Sequence, residues 1–595
     1  MNIYATRIKA LQQLMKNDSI DAYLILTSDP HLSEYIPDYW KSREWIGGFS
    51  GSAGSILITQ DYAGLWTDGR YWLQAQKELQ DTSLQLQKQD SHNTPIKWLK
   101  ANLGEYSKLA TDYRVLPLSM KKDLQSQLQD KKITLLNKDF LTLLWEKRPP
   151  LPLNPIYEHI QSPHNRIEKI QRLRQEMQDL KATYHCISTL DDIAWVCNLR
   201  GSDVSYNPVF LSYLIISKEE VILFVDKEKI PQEVLENLYK DGFTIKPYCQ
   251  IESFLESIKN QKILIDSTKT TAALADILKQ HNEIIESLNP SCRLKASKSE
   301  QELEQIQAAM IQDGIALCKF YMWLEDALEE GQRISELDID EKLREFRLER
   351  ENYISDSFAT IAGFNANGAQ PHYRATKEQF SFIQGDGLLL IDSGAQYTNG
   401  TTDITRVVPI GNITQAQKRD YTLVLKAHIA LSCAIFPLGI AMPLLDSIAR
   451  MALWREQLDY MHGTGHGVGY FLNVHEGPQV ISYFAPPLEK TKAKVGMVSS
   501  IEPGIYRPNQ WGVRLENLVV NKPVQQPKET QFGEFLCFET LTLCPFEKSC
   551  IEVALLNDEE KNWLNNYHKQ VFQKLGDKLE GRAKEWLKQK TMAIN

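Results

Sequence analysis

The stretch LLLIDSGAQYTNGTTDITR, residues 388–406, places two aspartates next to apolar and β-branched runs. Its apolar run ends at Asp392, and Asp403 follows after a segment rich in Gly, Thr and Asn, so the stretch predicts two strands joined by a turn. An aspartate at the end of an apolar strand is more often a turn former or a cap than a functional group. The case for a functional site therefore depends on the residues that accompany these two aspartates.

Histidines occur in glycine- and proline-containing stretches further along the chain. His462 and His466 lie in HGTGHGVG, residues 462–469, where the backbone can approach a ligand closely. His372, in PHYR, and His475, in VHEGP, are neutral donors suited to the charge that develops on a tetrahedral intermediate. Each of these histidines alone is more often structural.

Two more carboxylates lie inside apolar, strand-like sequences. These are Glu502 and Glu516, and a buried carboxylate without a partner is costly. Salt bridges to Arg406 or Arg514 can satisfy one or two of the carboxylates. The remaining carboxylates and imidazoles then have no explanation.

Two divalent cations account for the whole set. Four carboxylates balance the four positive charges of two such cations, and His466 adds a neutral nitrogen; the carboxylates are Asp392, Asp403, Glu502 and Glu516. Oxygen-rich ligation with one imidazole and no thiolate favours Mn(II), with Co(II), Fe(II) and Zn(II) as alternatives. A dinuclear site can hold a bridging hydroxide and polarise a carbonyl oxygen, so the chemistry it predicts is hydrolysis.

Composition narrows the class of protein. A chain of 595 residues predicts about two to four domains. The net charge of -9, with no Lys/Arg block, argues against nucleic acid as a partner. The N-terminal apolar run is too short for a signal core or a membrane span, and the nine cysteines lack CxxC spacing. We therefore expect a cytoplasmic protein with reduced thiols and no membrane association.

Two breaks divide the chain. Four prolines within residues 149–155 and the segment Asn289-Pro290-Ser291 cannot continue a helix. After the second break, Ser299 and Glu302 have capping-box spacing, and a helical apolar period continues to Gly331. The predicted domains are residues 1–150, 151–297 and 298–595.

The first two predicted domains share one plan. In each, a helical stretch leads to a strand, 23–27 or 184–188, and an apolar strand follows, Ser55–Thr59 or Tyr213–Ser217. We infer an internal duplication of an α/β unit. The alternative is two α/β domains that share a strand and turn pattern by chance.

These motifs resemble those of the pita-bread metallopeptidases, and within them the long, three-domain Xaa-Pro aminopeptidases, also called aminopeptidase P. The motifs are DSGAQY (392–397), GTTD (400–403), HGTGHGVG (462–469), VHEGP (474–478), EPG (502–504) and RLEN (514–517). The resemblance extends to FSGSAG (49–54), WTDGRY (66–71), NLRGSD (198–203) and WLNNYH (563–568). It implies an α/β and α+β fold, with two creatinase-like N-terminal α/β domains before a pita-bread catalytic domain that carries a C-terminal extension.

The resemblance also implies the metal ligands and the reaction. Asp392 would hold one metal, Asp403 and Glu516 would bridge both, and His466 and Glu502 would complete the second. Hydrolysis of the N-terminal Xaa-Pro bond would proceed through a hydroxide that bridges two divalent metals, with Glu502 as the proton acceptor.

Further residues receive roles from the same resemblance. His372 and His475 would contact the substrate around the scissile carbonyl, while His462 and Arg514 would support the site. The substrates would be peptides with proline at the second position, whose tertiary amide nitrogen has no N–H to donate. Because one carbonyl must align with the nucleophile, we expect substrates with a cis Xaa-Pro bond to be poor.

Two implications concern other parts of the molecule. Arg70 resembles a peptide-binding residue, acting in its own subunit or in a neighbouring one, and a homodimer is expected. The alternative for Arg70 is an ordinary ion pair with Asp68 or another surface carboxylate.

Three other functions compete with this interpretation. Prolidase shares the catalytic domain but acts on dipeptides, and methionine aminopeptidase would not need two additional α/β domains. A protein-binding module of the same fold would have lost the metal ligands, which this chain keeps. The sequence therefore favours the aminopeptidase.

Overall fold

The computed structural model describes residues 2–595, which form two compact units. The first unit contains the chain up to Ile160 and His164–Ser291, and the second contains Gln161–Pro163 and Cys292–Asn595. The predicted boundary after residue 150 lies inside the first unit, and the one after residue 297 lies just inside the second; both stay predictions. No helix among the described residues is long and apolar enough to cross a membrane.

The first unit alternates strands and helices. Up to residue 144 its elements are α1 (Ile3–Asn17), β1 (Ala22–Leu26), α2 (Ser42–Gly47), β2 (Ser55–Thr59), β3 (Ala63–Thr67), α3 (Trp72–Glu78), β4 (Gln85–Lys88), α4 (Pro95–Asn102), β5 (Lys108–Thr111), α5 (Leu118–Gln127), β6 (Thr134–Asn137) and α6 (Leu141–Leu144). The rest are β7 (Tyr157–Glu158), α7 (Arg166–Asp179), β8 (Tyr184–Ile187), α8 (Leu190–Cys197), β9 (Leu199–Arg200), β10 (Tyr213–Ser217), β11 (Val221–Phe224), α9 (Gln232–Lys240), β12 (Phe243–Lys246), α10 (Ile251–Ser257), β13 (Lys262–Ile265), α11 (Ala272–Lys279), β14 (Glu283–Glu286) and α12 (Pro290–Ala296), which crosses into the second unit.

Two six-stranded sheets of identical topology organise this unit. Their strand orders are β4-β3-β2-β1-β5-β6 and β12-β11-β10-β8-β13-β14. Strand β2 pairs antiparallel with β1 and β3, and strand β10 pairs antiparallel with β8 and β11. All other neighbours in the two sheets are parallel. The central strands β2 and β10 are buried because helices cover mixed sheets of this kind. The shared order confirms the common plan predicted from the sequence.

The second unit combines long helices with small antiparallel sheets. Its elements up to residue 454 are α13 (Glu300–Glu329), α14 (Glu336–Leu348), β15 (Tyr353–Asp356), β16 (Ile361–Phe364), β17 (Gly387–Ser393), β18 (Ala395–Tyr397), β19 (Gly400–Thr401), β20 (Ile404–Ile410), α15 (Gln415–Ser432), β21 (Ile435–Pro437) and α16 (Asp446–Trp454). They continue with β22 (Gly465–His466), β23 (Val480–Ile481), β24 (Val498–Ile501), β25 (Gly504–Arg507), β26 (Trp511–Arg514), β27 (Asn517–Pro523), β28 (Phe535–Thr540), α17 (Asp558–Leu575) and α18 (Gly581–Lys590).

Helix α13 begins at the capping box that the sequence predicts. The Glu302 amide donates to Ser299 Oγ at 3.2 Å, and the Ser299 amide donates to Glu302 Oε2 at 2.8 Å. The helix ends before Gly331, whose φ of +75° suits glycine after a helix. Its apolar face packs into the core of the unit together with α15 and α17.

Strand β17 is buried along its whole length and pairs with β16 and β20. The antiparallel pairing of β17 with β20 confirms the two predicted strands, with Asp392 opposite Thr405. The connection is more than a turn, because β18 and β19 pair with each other and join a different sheet. The chain leaves β17 at Gly394, where a Cβ atom would lie 2.2 Å from the carbonyl oxygen of Thr402.

A buried ion pair connects the helices of the second unit to this connection. Arg347 of α14 donates through Nε to Asp313 Oδ1 of α13 at 2.8 Å, and through Nη1 to the carbonyl oxygen of Gly394 at 3.2 Å. Asp313 also accepts from the Tyr397 hydroxyl at 3.1 Å and from Thr402 Oγ1 at 3.0 Å. The pair therefore forms hydrogen bonds with groups before, within and after the segment that contains β18 and β19.

We expect Arg347→Met to destabilise the second unit by about 3–5 kcal/mol, because it leaves the Asp313 carboxylate buried without its cation. Urea unfolding of the full chain, followed by circular dichroism, measures the shift of the midpoint. Arg582→Met is the matched control, since Arg582 pairs with Asp326 at the surface and such pairs contribute little. Equal shifts in the two variants would contradict this account.

Candidate metal centre

Asp392, near the end of β17, is buried and only partly paired. Its Oδ2 accepts from Nη2 of Arg514 at 2.5 Å, whereas its Oδ1 has no hydrogen-bond partner among the described residues. Burial raises the pKa of Asp392 to about 7; Arg514 opposes this shift, and the charges of Asp403 and Glu502 add to it. Such a carboxylate requires a further positive partner to be ionised at neutral pH without a penalty.

Asp403, His466 and Glu516 converge from three separate segments. One ligand atom from each lies within 4.8 Å of the other two. The His466 Nε2 lies 3.5 Å from Asp403 Oδ2, and Glu516 Oε2 accepts from Thr405 Oγ1 at 2.8 Å. The three residues can therefore share one cation.

Glu502 follows β24 directly and faces the same group. Its Oε1 lies 3.5 Å from His466 Nε2 and accepts from Ser500 Oγ at 3.3 Å. Its amide donates to the carbonyl oxygen of Thr464 at 2.7 Å, which fixes the backbone at this point. Burial raises the pKa of Glu502, His466 lowers it, and Asp403 raises it further.

Neighbouring charges also shift the pKa values of Glu516 and His466. Burial and the charges of Asp403, Glu502 and Asp392 raise the pKa of Glu516 well above its usual range. Burial lowers the pKa of His466, but its hydrogen bond to Asp403 and the nearby carboxylates outweigh burial and bring it to about 9. Both shifts favour the protonated form of the side chain.

The donor set fits two divalent cations. The site has three buried carboxylates, the partly buried Glu502 and one imidazole, with no thiolate among them, and Asp392 Oδ1 has no hydrogen-bond partner among the described residues. Hard and borderline divalent cations accept this combination of oxygen and nitrogen ligands. Two of them would neutralise the four carboxylates and release His466 to act as a neutral ligand.

A hydrogen-bonded chain of side chains supports Asp392. His462 Nε2 lies 2.9 Å from the Tyr506 hydroxyl, and Arg514 Nη1 donates to the same hydroxyl at 2.8 Å. Burial raises the pKa of Tyr506 to about 12, although Arg514 opposes the shift. The phenol therefore stays neutral and connects His462 to Arg514 and, through it, to Asp392.

The other predicted site residues are placed differently. The His475 ring stands edge-on to the His466 ring, with centroids 4.3 Å apart. His372 is half-buried in the loop between β16 and β17. In the first unit, Arg70 donates through Nε and Nη2 to the two oxygens of Asp68, each at 2.8 Å, which is the ion pair considered as its alternative role. The assignment of Arg70 to peptide binding stays a prediction.

Sequence reasoning missed three side chains of the centre. Thr405 lies two residues after Asp403, and Ser500 lies two residues before Glu502. The two-residue period of a strand was the available signal, because residues at this spacing share a face. Tyr506 had no such signal, since it connects Arg514 on the neighbouring strand β26 to His462, which comes from a separate segment.

Family models match nearly the whole chain. The Creatinase/Prolidase N-terminal domain matches residues 7–142 and 147–302, Metallopeptidase family M24 matches residues 304–523, and the C-terminal region of peptidase M24 matches residues 534–594.

Relatives and a solved structure agree with these matches over the full length. The chain is 40% identical to the probable Xaa-Pro aminopeptidase P of Laccaria bicolor, over 98% of this chain and 92% of that protein. It is 39% identical to Xaa-Pro aminopeptidase 1 of Dictyostelium discoideum, over 96% of this chain and 92% of that protein. The X-prolyl aminopeptidase of Caenorhabditis elegans, described as a cytosolic enzyme with a di-nuclear active site, superposes with a TM-score of 0.94 at 31% identity, covering 100% of both chains. These matches confirm the predicted fold class, and the chain belongs to the Xaa-Pro aminopeptidases of metallopeptidase family M24.

Proposed function

We propose that this chain removes the N-terminal residue from peptides with proline at the second position, using two divalent metal ions. The observation that carries the proposal is the convergence of Asp403, Glu516 and Glu502 on His466 in a member of this family. The names of the relatives from Laccaria bicolor and Dictyostelium discoideum support the substrate class.

The proposed ligands are those that the family resemblance implies. Asp392 would hold one cation, Asp403 and Glu516 would bridge both, and His466 and Glu502 would complete the second. Mn(II) suits these ligands best, with Co(II), Fe(II) and Zn(II) as alternatives. When bound, the two cations would lower the pKa of a bridging water to give hydroxide and polarise the scissile carbonyl.

The protein groups around the cations have separate tasks. Glu502 would accept a proton at its carboxylate, since its raised pKa brings it closer to neutral pH. His475 and His372 would donate hydrogen bonds to the oxygen on which negative charge develops. Arg514 holds the orientation of Asp392, and Tyr506 holds Arg514 and His462.

Proline at the second position explains the need for a dedicated enzyme. Its nitrogen offers no N–H, so recognition must rely on the free N-terminal amine, the carbonyl oxygen and the shape of the ring. The departing imino nitrogen must gain a proton, and the carbonyl must be aligned with the nucleophile. Only one isomer of the Xaa-Pro bond can satisfy that alignment.

The proposal includes the division of the chain and its location. The family matches to residues 7–142, 147–302 and 304–523 support domains at residues 1–150, 151–297 and 298–595. All nine cysteines are free thiols, and the C. elegans neighbour is described as cytosolic, which supports a cytoplasmic location. Subcellular fractionation would test that location.

A surface patch of α16 and the loop after β23 supports the proposed homodimer. Met451 and Trp454 of the helix and Tyr483 and Phe484 of the loop are exposed apolar side chains. The Trp454 and Tyr483 rings are 6.2 Å apart, and those of Tyr483 and Phe484 are 4.1 Å apart, so the patch is contiguous. Contiguous apolar patches commonly mark interfaces, and a twofold axis would pair this one with its own copy.

We expect metal binding to stabilise the chelator-stripped protein and to require the bridging carboxylates. Mn(II) should raise the Tm of the wild type in differential scanning fluorimetry, and Asp403→Asn should abolish most of that rise. The rise should be larger at pH 8 than at pH 6, because protons on Asp392, with a pKa of about 7, and on His466 compete with the cation at the lower pH. A rise that is unchanged in Asp403→Asn would exclude this site.

Peptide cleavage tests the activity itself. With Mn(II), the wild type should release arginine from Arg-Pro-Pro but not from Arg-Ala-Pro, and Glu502→Gln should lower kcat by about a hundredfold or more. Glu489→Gln, at an exposed carboxylate, is the matched control and should keep wild-type activity. Cleavage of Arg-Pro alone would instead favour a prolidase, and no release with Mn(II), Co(II) or Zn(II) would contradict the proposal.

The dimer has its own test. Sedimentation velocity at micromolar concentration should show a dimer for the wild type and a monomer for Trp454→Glu, because a buried charge at the interface would be unpaired. Leu348→Glu is the control, since Leu348 is an exposed apolar residue outside the patch. A monomeric wild type would rule out this interface.

A further inference from the structure

Three buried charges lie beside the metal centre without a role in the proposed reaction. Lys295 lies near the end of α12 and Lys298 lies just before α13, and both contact Glu476, which follows His475 directly. Lys295 Nζ lies 3.1 Å from Glu476 Oε2, and Lys298 Nζ lies 2.8 Å from Glu476 Oε1. No more than 2% of any of the three side chains is exposed.

Two ammonium groups share one carboxylate in this Lys295–Glu476–Lys298 triad, and all three charged groups are buried. Burying ions has a large desolvation cost, and apolar residues of similar volume often stabilise a protein more. Lys298 recovers part of the cost by donating to the carbonyl oxygen of Lys295 at 2.8 Å. We therefore expect the triad to add little to the stability of the chain and to fix the positions of the segments that it connects.

Glu476 anchors the loop that carries His475. Its amide donates to the carbonyl oxygen of Gly467 at 2.8 Å, next to His466. The approach is so close that a Cβ atom on Gly467 would lie 2.0 Å from the Glu476 carbonyl oxygen. The Glu476 backbone therefore fixes the distance between the His475 loop and the His466 strand, where the two ring centroids are 4.3 Å apart, and its side chain connects this point to the two lysines.

The lysines are themselves held by the backbone. The Lys298 amide donates to the carbonyl oxygen of Gly496 at 2.9 Å, and a Cβ atom on Gly496 would lie 2.2 Å from the Lys298 carbonyl oxygen. Gly496 leads into β24, and Glu502 follows that strand. The triad thus connects the N-terminal end of α13, the start of β24 and the His475 loop.

We propose that Lys295 and Lys298 are positioning residues that act through Glu476 to orient His475 toward the substrate. This inference rests on the proposed function. His475 would contact an oxygen whose charge grows in the transition state, so its misplacement lowers kcat more than it raises KM. Removing one lysine leaves Glu476 in contact with the other lysine, so these variants should fold.

The experiment compares Lys298→Met and Lys295→Met with the wild type on Arg-Pro-Pro. We expect kcat to fall about 10- to 100-fold while KM changes less than about threefold, because small misplacements near the reacting atoms have effects of this size. The bound Mn(II), measured by elemental analysis, should stay the same. Lys298→Arg, which restores the charge, should recover part of kcat.

Lys426→Met separates positioning from stability. Lys426 of α15 pairs with Glu560 of α17 at 2.7 Å, away from the His475 loop. This variant should lower the urea midpoint and keep wild-type kcat. If both lysine variants of the triad also keep wild-type kcat, the triad is structural and the inference is wrong.

A second readout does not depend on activity. In protein labelled with 13Cε1-histidine, the His475 ring signal, assigned through His475→Gln, should move or broaden in Lys298→Met and stay in place in Lys426→Met. If the wild type releases no arginine, the proposed function fails, and this signal still decides whether the triad positions His475. An unchanged signal in Lys298→Met would overturn the inference.

Discussion

Repulsion among buried carboxylates is the constraint on which the second unit depends. Asp392, Glu502 and Glu516 all have raised pKa values, because burial removes water and each carboxylate adds to the potential at the others. A single arginine, Arg514, contacts only one of them, Asp392, through a hydrogen bond. Two divalent cations would neutralise the four carboxylates of the centre.

The fold has to hold these charges together against their repulsion. The residues lie at or beside strand ends: Asp392 in β17, Asp403 before β20, and Glu502 after β24. Strand ends give precise backbone positions while leaving side chains free to meet. The buried pair of Arg347 and Asp313 stabilises the segment with β18 and β19, which lies between Asp392 and Asp403.

Local patterns in the sequence were sufficient to predict several elements of the fold. The capping box at Ser299, the strand Ser55–Thr59 and the shared plan of the two α/β halves depend on near neighbours, and the structure confirms them. The link between Asp392 and Asp403 was simplified to a turn, because β18 and β19 are stabilised by pairing with β15 and by contacts of Asp313, which are distant in sequence.

The family, the types of donor residue and the alternation of strands and helices could all be predicted from the sequence, since motifs and periodicity are local properties. The packing of the whole unit was needed to show that Tyr506 connects His462 to Arg514 and that two lysines share Glu476. Side-chain partners of this kind depend on distances between segments far apart in the chain. Those distances arise when the whole unit packs and cannot be read from spacing along one strand or helix.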